Sequence, residues 1–139
     1  MTRINIIDTE ELTDQHLMAE WREITMIPAA LKTVINSKNG LDLKRIPKKY
    51  TLGTGHIYFF FDKGKYLMNR YTELRNEMNV RGFKPDPDRI FNSDIFIDNN
   101  LYNDWTPTIT DYKIIRKRIE ERITKKPEWY RKTERTING

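Results

Sequence analysis

The sequence predicts an all-α protein: one compact domain over residues 1–139, with three helices joined by long ordered loops. Two observations carry this reading. Apolar residues recur at helical spacing in three separate windows, and no pair of windows shows the matched period-two alternation that a sheet requires. A chain of 139 residues that is 37% hydrophobic can build one modest core and not two.

The first helix is expected over residues 14–39. Leu17, Trp21, Ile24, Leu31, Val34 and Ile35 share its spacing, Thr13 or Asp14 can cap its start, and Gly40 can stop it. Pro28 falls inside the pattern without a backbone donor, so a kink or a division is expected there. Residues 41–63 read as irregular, punctuated by Pro47, Gly53 and Gly55. Their aromatic run Tyr58-Phe59-Phe60-Phe61 reads as a buried loop anchor, with a short strand as the alternative. The second helix is expected over 64–81, with Leu67, Tyr71, Leu74 and Met78 facing inward and Gly82 as its C-cap. Residues 83–107, rich in Pro, Asp and Asn, read as a long loop pinned by Phe91, Phe96, Tyr102 and Trp105. The third helix is expected over 109–125, with Tyr112, Ile115, Ile119 and Ile123 inward and Pro127 ending it.

Composition excludes several classes. With no cysteine, disulfides and thiolate metal sites are impossible, which fits a reduced cytoplasmic setting. Two histidines make a poor metal site and leave only a carboxylate-bound Mg²⁺ to consider; no metal and no organic cofactor are expected. No apolar run approaches the ~20 residues that span a bilayer, and no signal-peptide core is seen, so no membrane partner is expected. The net charge of +5 is unevenly placed: residues 1–109 hold fifteen cations and fifteen anions, whereas residues 110–139 hold ten cations and five anions. A second basic stretch comprises Lys38, Lys44, Arg45, Lys48 and Lys49. Local basic excess is the footprint of a phosphate-binding surface, and equally of a solvated helix face.

Four places can carry chemistry. Thr2 is small enough to permit removal of Met1, which would expose an α-amine that titrates far below lysine; it is equally a plain chain end. Glu23 shares a broad helical face with Glu20 and His16, where a carboxylate could move protons or simply pair with a neighbour such as Arg22. The segment Gly53-Thr54-Gly55-His56 lacks the spacing of a phosphate-binding loop and suits a tight backbone path. Trp129-Tyr130-Arg131 places two rings beside cations, for stacking on bases or for docking the tail.

Taken in order, these residues resemble a known family. Met1-Thr2-Arg3-Ile4-Asn5, Leu12, Asp14-Gln15-His16-Leu17-Met18-Ala19-Glu20 and Arg22-Glu23 are similar to the opening of the phage pyrimidine-dimer DNA glycosylases, the dimer-specific endonuclease V family. Leu52-Gly53, Gly55-His56, Phe59-Phe60, Asp62-Lys63, Arg81-Gly82-Phe83, Pro127, Trp129 and Tyr130 continue the resemblance through the chain. It implies a three-helix fold and a DNA-repair glycosylase with abasic-site lyase activity on cyclobutane pyrimidine dimers. The implied nucleophile is the amine of Thr2, which forms an imine, with Glu23 as the catalytic acid. Arg3, Gln15, Arg22, Arg118, Arg122, Trp129 and Tyr130 become the expected DNA-contacting set. The implied partner is double-stranded DNA carrying ultraviolet photoproducts, with non-specific duplex binding besides, engaged by a monomer in the cytoplasm of a phage-infected or bacterial cell. The rival reading is a basic helical DNA-binding module without catalysis. Two departures stand out: Met26 replaces an arginine of the family, and Lys132 and Thr133 replace tyrosines after Trp129-Tyr130.

Overall fold

The computed structural model describes residues 3–136. Thr2, the expected nucleophile, lies outside the described residues. Among those described there are five α-helices and no strand, so the all-α expectation is met while the expectation of three helices is not. The helices are α1 (Asp14–Ile35), α2 (His56–Phe59), α3 (Gly64–Val80), α4 (Asp94–Asp98) and α5 (Ile109–Lys125). Short 3-10 turns occupy Thr9–Glu11, Leu43–Arg45 and Phe60–Asp62, the last running straight on from α2.

The three long helices are those predicted. In α1, Thr13 is the N-cap, its hydroxyl accepting from the His16 N–H at 3.1 Å. The helix runs unbroken past Pro28 but ends at Ile35, short of Gly40. Asn36, Ser37 and Asn39 explain the early stop, for short polar side chains compete for the backbone: the Ser37 hydroxyl donates to the Val34 carbonyl at 2.5 Å. The end of α3 is set by Gly82 at φ +85, which lets the Phe83 N–H reach back to the Met78 carbonyl at 2.9 Å. In α5, Thr108 and Asp111 form a reciprocal capping box.

Two expectations are corrected. The aromatic run is neither loop nor strand. Phe59, Phe60 and Phe61 are all buried on α2 and the turn after it. A helical turn satisfies its own backbone, so it can sink into a core where a lone strand would leave donors unpaired. The long loop 83–107 contains α4, too short to show periodicity. Its Phe96 is fully buried, Phe91 and Leu101 nearly so, and Trp105 packs edge-on against Phe59 at 5.1 Å.

The core joins Leu17, Ile24, Ile27 and Leu31 of α1 to Leu67, Leu74 and Met78 of α3 and to Ile115 and Ile119 of α5. Ile4, Ile6, Ile7 and Leu12 belong to it too, so the chain's opening segment is threaded through the interior. The burial of Ile4, Ile6 and Ile7 fixes where Arg3 can stand.

Candidate active site

Side chains from three directions meet in one open cleft of about 480 Å³. The opening segment contributes Arg3, α1 contributes Gln15, His16 and Arg22, and α5 with the tail contributes Arg118, Arg122, Trp129 and Tyr130. All seven residues that the sequence nominated for DNA contact therefore line the same cavity, although they lie as far apart in the chain as positions 3 and 130. Spacing explains the helical members: Gln15, Met18, Ala19 and Arg22 occupy one face of α1, and Arg118 and Arg122 are one turn apart on α5. Among the described residues Arg22 and Arg122 make no ion pair.

The cations feel one another. Burial, then Arg122 and Arg3, push the Arg118 guanidinium below its ordinary value, though it stays charged at any working pH. Such crowding favours any anion that enters the cleft. His16 is held below the ordinary imidazole value, first by burial and then by Arg118, so it is neutral near pH 7. Its ring stacks on Tyr130 at 4.7 Å, nearly parallel, and its Nδ1 lies 2.6 Å from the Thr13 hydroxyl.

Glu23 is half-buried on α1, next to Arg22 and outside the cleft lining proper. Burial raises its carboxyl above the ordinary value, and Arg3 partly offsets the rise. A carboxyl tuned upward beside a cation is suited to exchanging protons. Met26, one turn further along, is 58% exposed, so an apolar side chain stands where the family resemblance would place a cation. Arg45 is not in the cleft; its guanidinium lies over the Tyr58 ring at 5.8 Å.

Gln15 has a second occupation. Its amide nitrogen donates to the Trp129 carbonyl at 2.7 Å and its oxygen accepts from the Arg131 N–H at 2.9 Å. One side chain thus grips the tail on both sides of Tyr130. Asp14 adds to the grip: its backbone N–H donates to the Arg131 carbonyl at 2.6 Å, and its carboxylate accepts from the Thr133 hydroxyl at 2.6 Å and from Arg81 at 2.9 Å. Burial alone would raise the Asp14 carboxyl, but the Thr133 and Arg81 bonds outweigh it and hold the group below its ordinary value.

Sequence reasoning missed Tyr50 and Arg70 altogether and saw His56 and Glu20 only in passing. Arg70 and Glu20 form a buried ion pair with Nε–Oε2 at 2.6 Å and side chains 3% and 0% exposed. A signal existed: Glu20 stands three residues after Leu17 and four before Ile24, and Arg70 stands likewise between Leu67 and Leu74. Charges of opposite sign on two apolar stripes must meet. Tyr50 carried no such mark.

Among the described residues no group of three or more His, Cys, Asp or Glu side chains could hold a metal ion, and no helix is long and apolar enough to cross a membrane. Compared with known protein families, residues 1–91 match the family described as pyrimidine dimer DNA glycosylase.

Proposed function

The chain belongs to the pyrimidine dimer DNA glycosylase family, and from that premise we propose a two-step reaction on duplex DNA: breakage of the glycosidic bond of the 5′ pyrimidine of a cyclobutane dimer, which stays tethered to its neighbour through the cyclobutane ring, then strand cleavage at the abasic site. It is a DNA-repair enzyme rather than a non-catalytic binding module.

The nucleophile is the α-amine of Thr2, freed by removal of Met1. An α-amine has a reference pKa of about 7.7–8.0 against about 10.4 for lysine, so a substantial fraction is neutral near pH 7. Neighbouring cations, Arg3 first among them, disfavour the ammonium form further. The nitrogen lone pair attacks C1′ of the 5′ nucleotide, and the C1′–N bond breaks with its electrons leaving on the base. Loss of a proton from nitrogen and protonation of O4′ open the sugar to the imine. Removal of a C2′ proton then expels the 3′ phosphate, and water hydrolyses the imine to release the enzyme. Glu23 stabilises the cationic sugar and relays these protons. Each step is proton transfer and nucleophilic attack, and none calls for a metal or an organic cofactor.

Arg3, Arg22, Arg118 and Arg122 bind phosphates of damaged and undamaged duplex alike. Trp129 and Tyr130 offer aromatic faces to an unstacked base, and Gln15 keeps them in place. The enzyme works as a monomer on cytoplasmic DNA. The observation that carries this reading is the convergence of four arginines and two tail aromatics on one cleft beside a half-buried Glu23.

The test is incision of an ultraviolet-irradiated plasmid without added metal, beside an unirradiated control. Borohydride present during turnover is expected to join enzyme and DNA covalently, with the adduct mapping to Thr2. An adduct on a lysine, or full activity with Met1 retained, would refute the mechanism.

A further inference from the structure

Ile4 and Asn5 are buried and Arg3 is half-buried, yet residues 3–5 belong to no helix or sheet. The Ile4 backbone and the Asn5 N–H are paired by side chains instead. The Ile4 N–H donates to His56 Nε2 at 2.9 Å, the Ile4 carbonyl accepts from the Tyr50 hydroxyl at 2.7 Å, and the Asn5 N–H donates to Glu20 Oε1 at 3.0 Å. Arg3 adds a side-chain bond from Nε to the Leu52 carbonyl at 2.6 Å.

These partners are themselves held. His56 Nδ1 lies 2.7 Å from the Thr51 carbonyl, which can only accept, so Nδ1 carries the proton and Nε2 is left as the acceptor for Ile4. The tautomer follows from the two partners. Glu20 is clamped by Arg70 through both oxygens, at 2.6 and 3.1 Å. The same Arg70 donates to the Ile7 carbonyl at 2.5 Å, across a tight turn in which the Ile7 N–H bonds to the Asn5 carbonyl. Ile6 at the centre of that turn has φ +51, a conformation that β-branched residues rarely adopt. A strained turn persists only where its surroundings over-determine it.

We propose that His56, Tyr50 and Glu20 form a side-chain template that sets the register of residues 3–5, and that they are thereby positioning residues for the amine at position 2. The inference rests on the nucleophile assigned above. A slip of one residue moves the end of a segment by as much as about 3.3 Å. Misplacement by about 1 Å can already cost about 100-fold in rate. Anchoring by helix or sheet is absent here, so the template, with the burial of Ile4, Ile6 and Ile7, is what prevents the slip. It also explains why a nucleophile can sit at a chain end, ordinarily the least ordered part of a protein.

The test uses the full chain and a duplex carrying one abasic site. Single-turnover borohydride trapping is measured beside the dissociation constant for the same duplex. Expected for His56→Leu is a fall in trapping of about 100-fold with affinity within about twofold of the parent. His56→Gln, which keeps an acceptor for the Ile4 N–H, is expected to recover most of the rate. Tyr50→Phe loses only a hydroxyl and is expected to trap roughly tenfold more slowly; it decides the matter if His56→Leu fails to fold. Parent-like trapping in Tyr50→Phe, or in a folded His56→Leu, overturns the proposal, as does parallel loss of trapping and affinity with no recovery in His56→Gln. If the parent protein itself forms no adduct at Thr2, the reaction proposed above fails first and the template loses its purpose with it.

Discussion

The amino-terminal wall of the cleft is held from beneath and the tail wall is held from its rim. On the first, Arg70 and Glu20 pair at 3% and 0% exposure, and the backbone of residues 4 and 5 is bonded by buried side chains. On the second, Trp129 is 60% exposed, and the main grips on it come from Gln15 and Asp14 at the start of α1. Buried bonds are costly to break, because a lone polar group left in the core finds no water. The exposed Gln15 bonds exchange with solvent at little cost, and only the Asp14 grip on the tail is buried. The wall to which the chemistry is assigned above is therefore the more deeply bonded, and the wall that carries Trp129 and Tyr130 the more exposed. The family match covers the first wall and stops before the second, since residues 92–139 lie outside it.

Glu23→Gln breaks the comparison most sharply. The variant keeps the shape of the amino-terminal wall and removes the proton carrier proposed for it, so turnover on dimer-containing duplex is expected to fall by about 10²–10⁴-fold while affinity holds. Parallel single-turnover and binding measurements check this, and near-normal turnover would remove Glu23 from the mechanism.

Arg70→Met tests the wall's foundation. It strands the Glu20 carboxylate in the core, and urea unfolding is expected to show a loss of about 3–5 kcal/mol. A loss below about 1 kcal/mol would mean the amino-terminal wall is no more firmly held than the tail.

Acid should loosen the first wall through His56, and the second through His16, whose imidazole beside Tyr130 is also held below 6.5 by burial. Burial, opposed in part by the Thr51 bond, drops His56 from 6.5 to about 4, with Arg3 and Arg118 adding to the fall. Above pH 6.5 the ring is neutral both folded and unfolded, so it makes no difference. Between pH 6.5 and about 4 only the unfolded chain takes the proton, and stability falls as pH falls, by roughly 3 kcal/mol in all. Asp14 has its folded pKa depressed, so its contribution is lost only below its unfolded value of 3.8. Chemical denaturation at pH 7 and pH 5 should show the drop in the parent and a shallower one in His56→Gln; equal slopes would assign the loss to other groups.

The smallest effects belong to the rim. Gln15→Ala removes two exposed bonds to the tail and is expected to weaken duplex binding about fivefold, near 1 kcal/mol, without changing the salt dependence. Arg122→Ala is expected to flatten the log–log salt dependence by about 0.9, the value for one phosphate contact. A salt slope altered by Gln15→Ala would turn that residue from a holder of the tail into a direct participant in phosphate binding.

What could be read from the chain alone was whatever periodicity or charge makes local. The long helices follow from their apolar stripes, and α5 begins and ends where its caps and Pro127 place it, because 3.6-residue spacing is a property of neighbours in sequence. The basic excess of α5 and the tail was legible from charge alone, but Arg3, Arg22, Arg118 and Arg122 were marked as members of one site only by the family resemblance. Three things waited for the tertiary structure. The aromatic run is helical because burial on every side demands a backbone that pairs with itself. Gln15 is engaged by the tail because residues more than a hundred positions apart meet there. Tyr50, His56, Glu20 and Arg70 form one network because each satisfies a polar group that the others' elements bring into the core. Periodicity reports which face of a helix is buried; it does not report which buried donor meets which acceptor, and that pairing is what holds the first residues of this protein against the cleft.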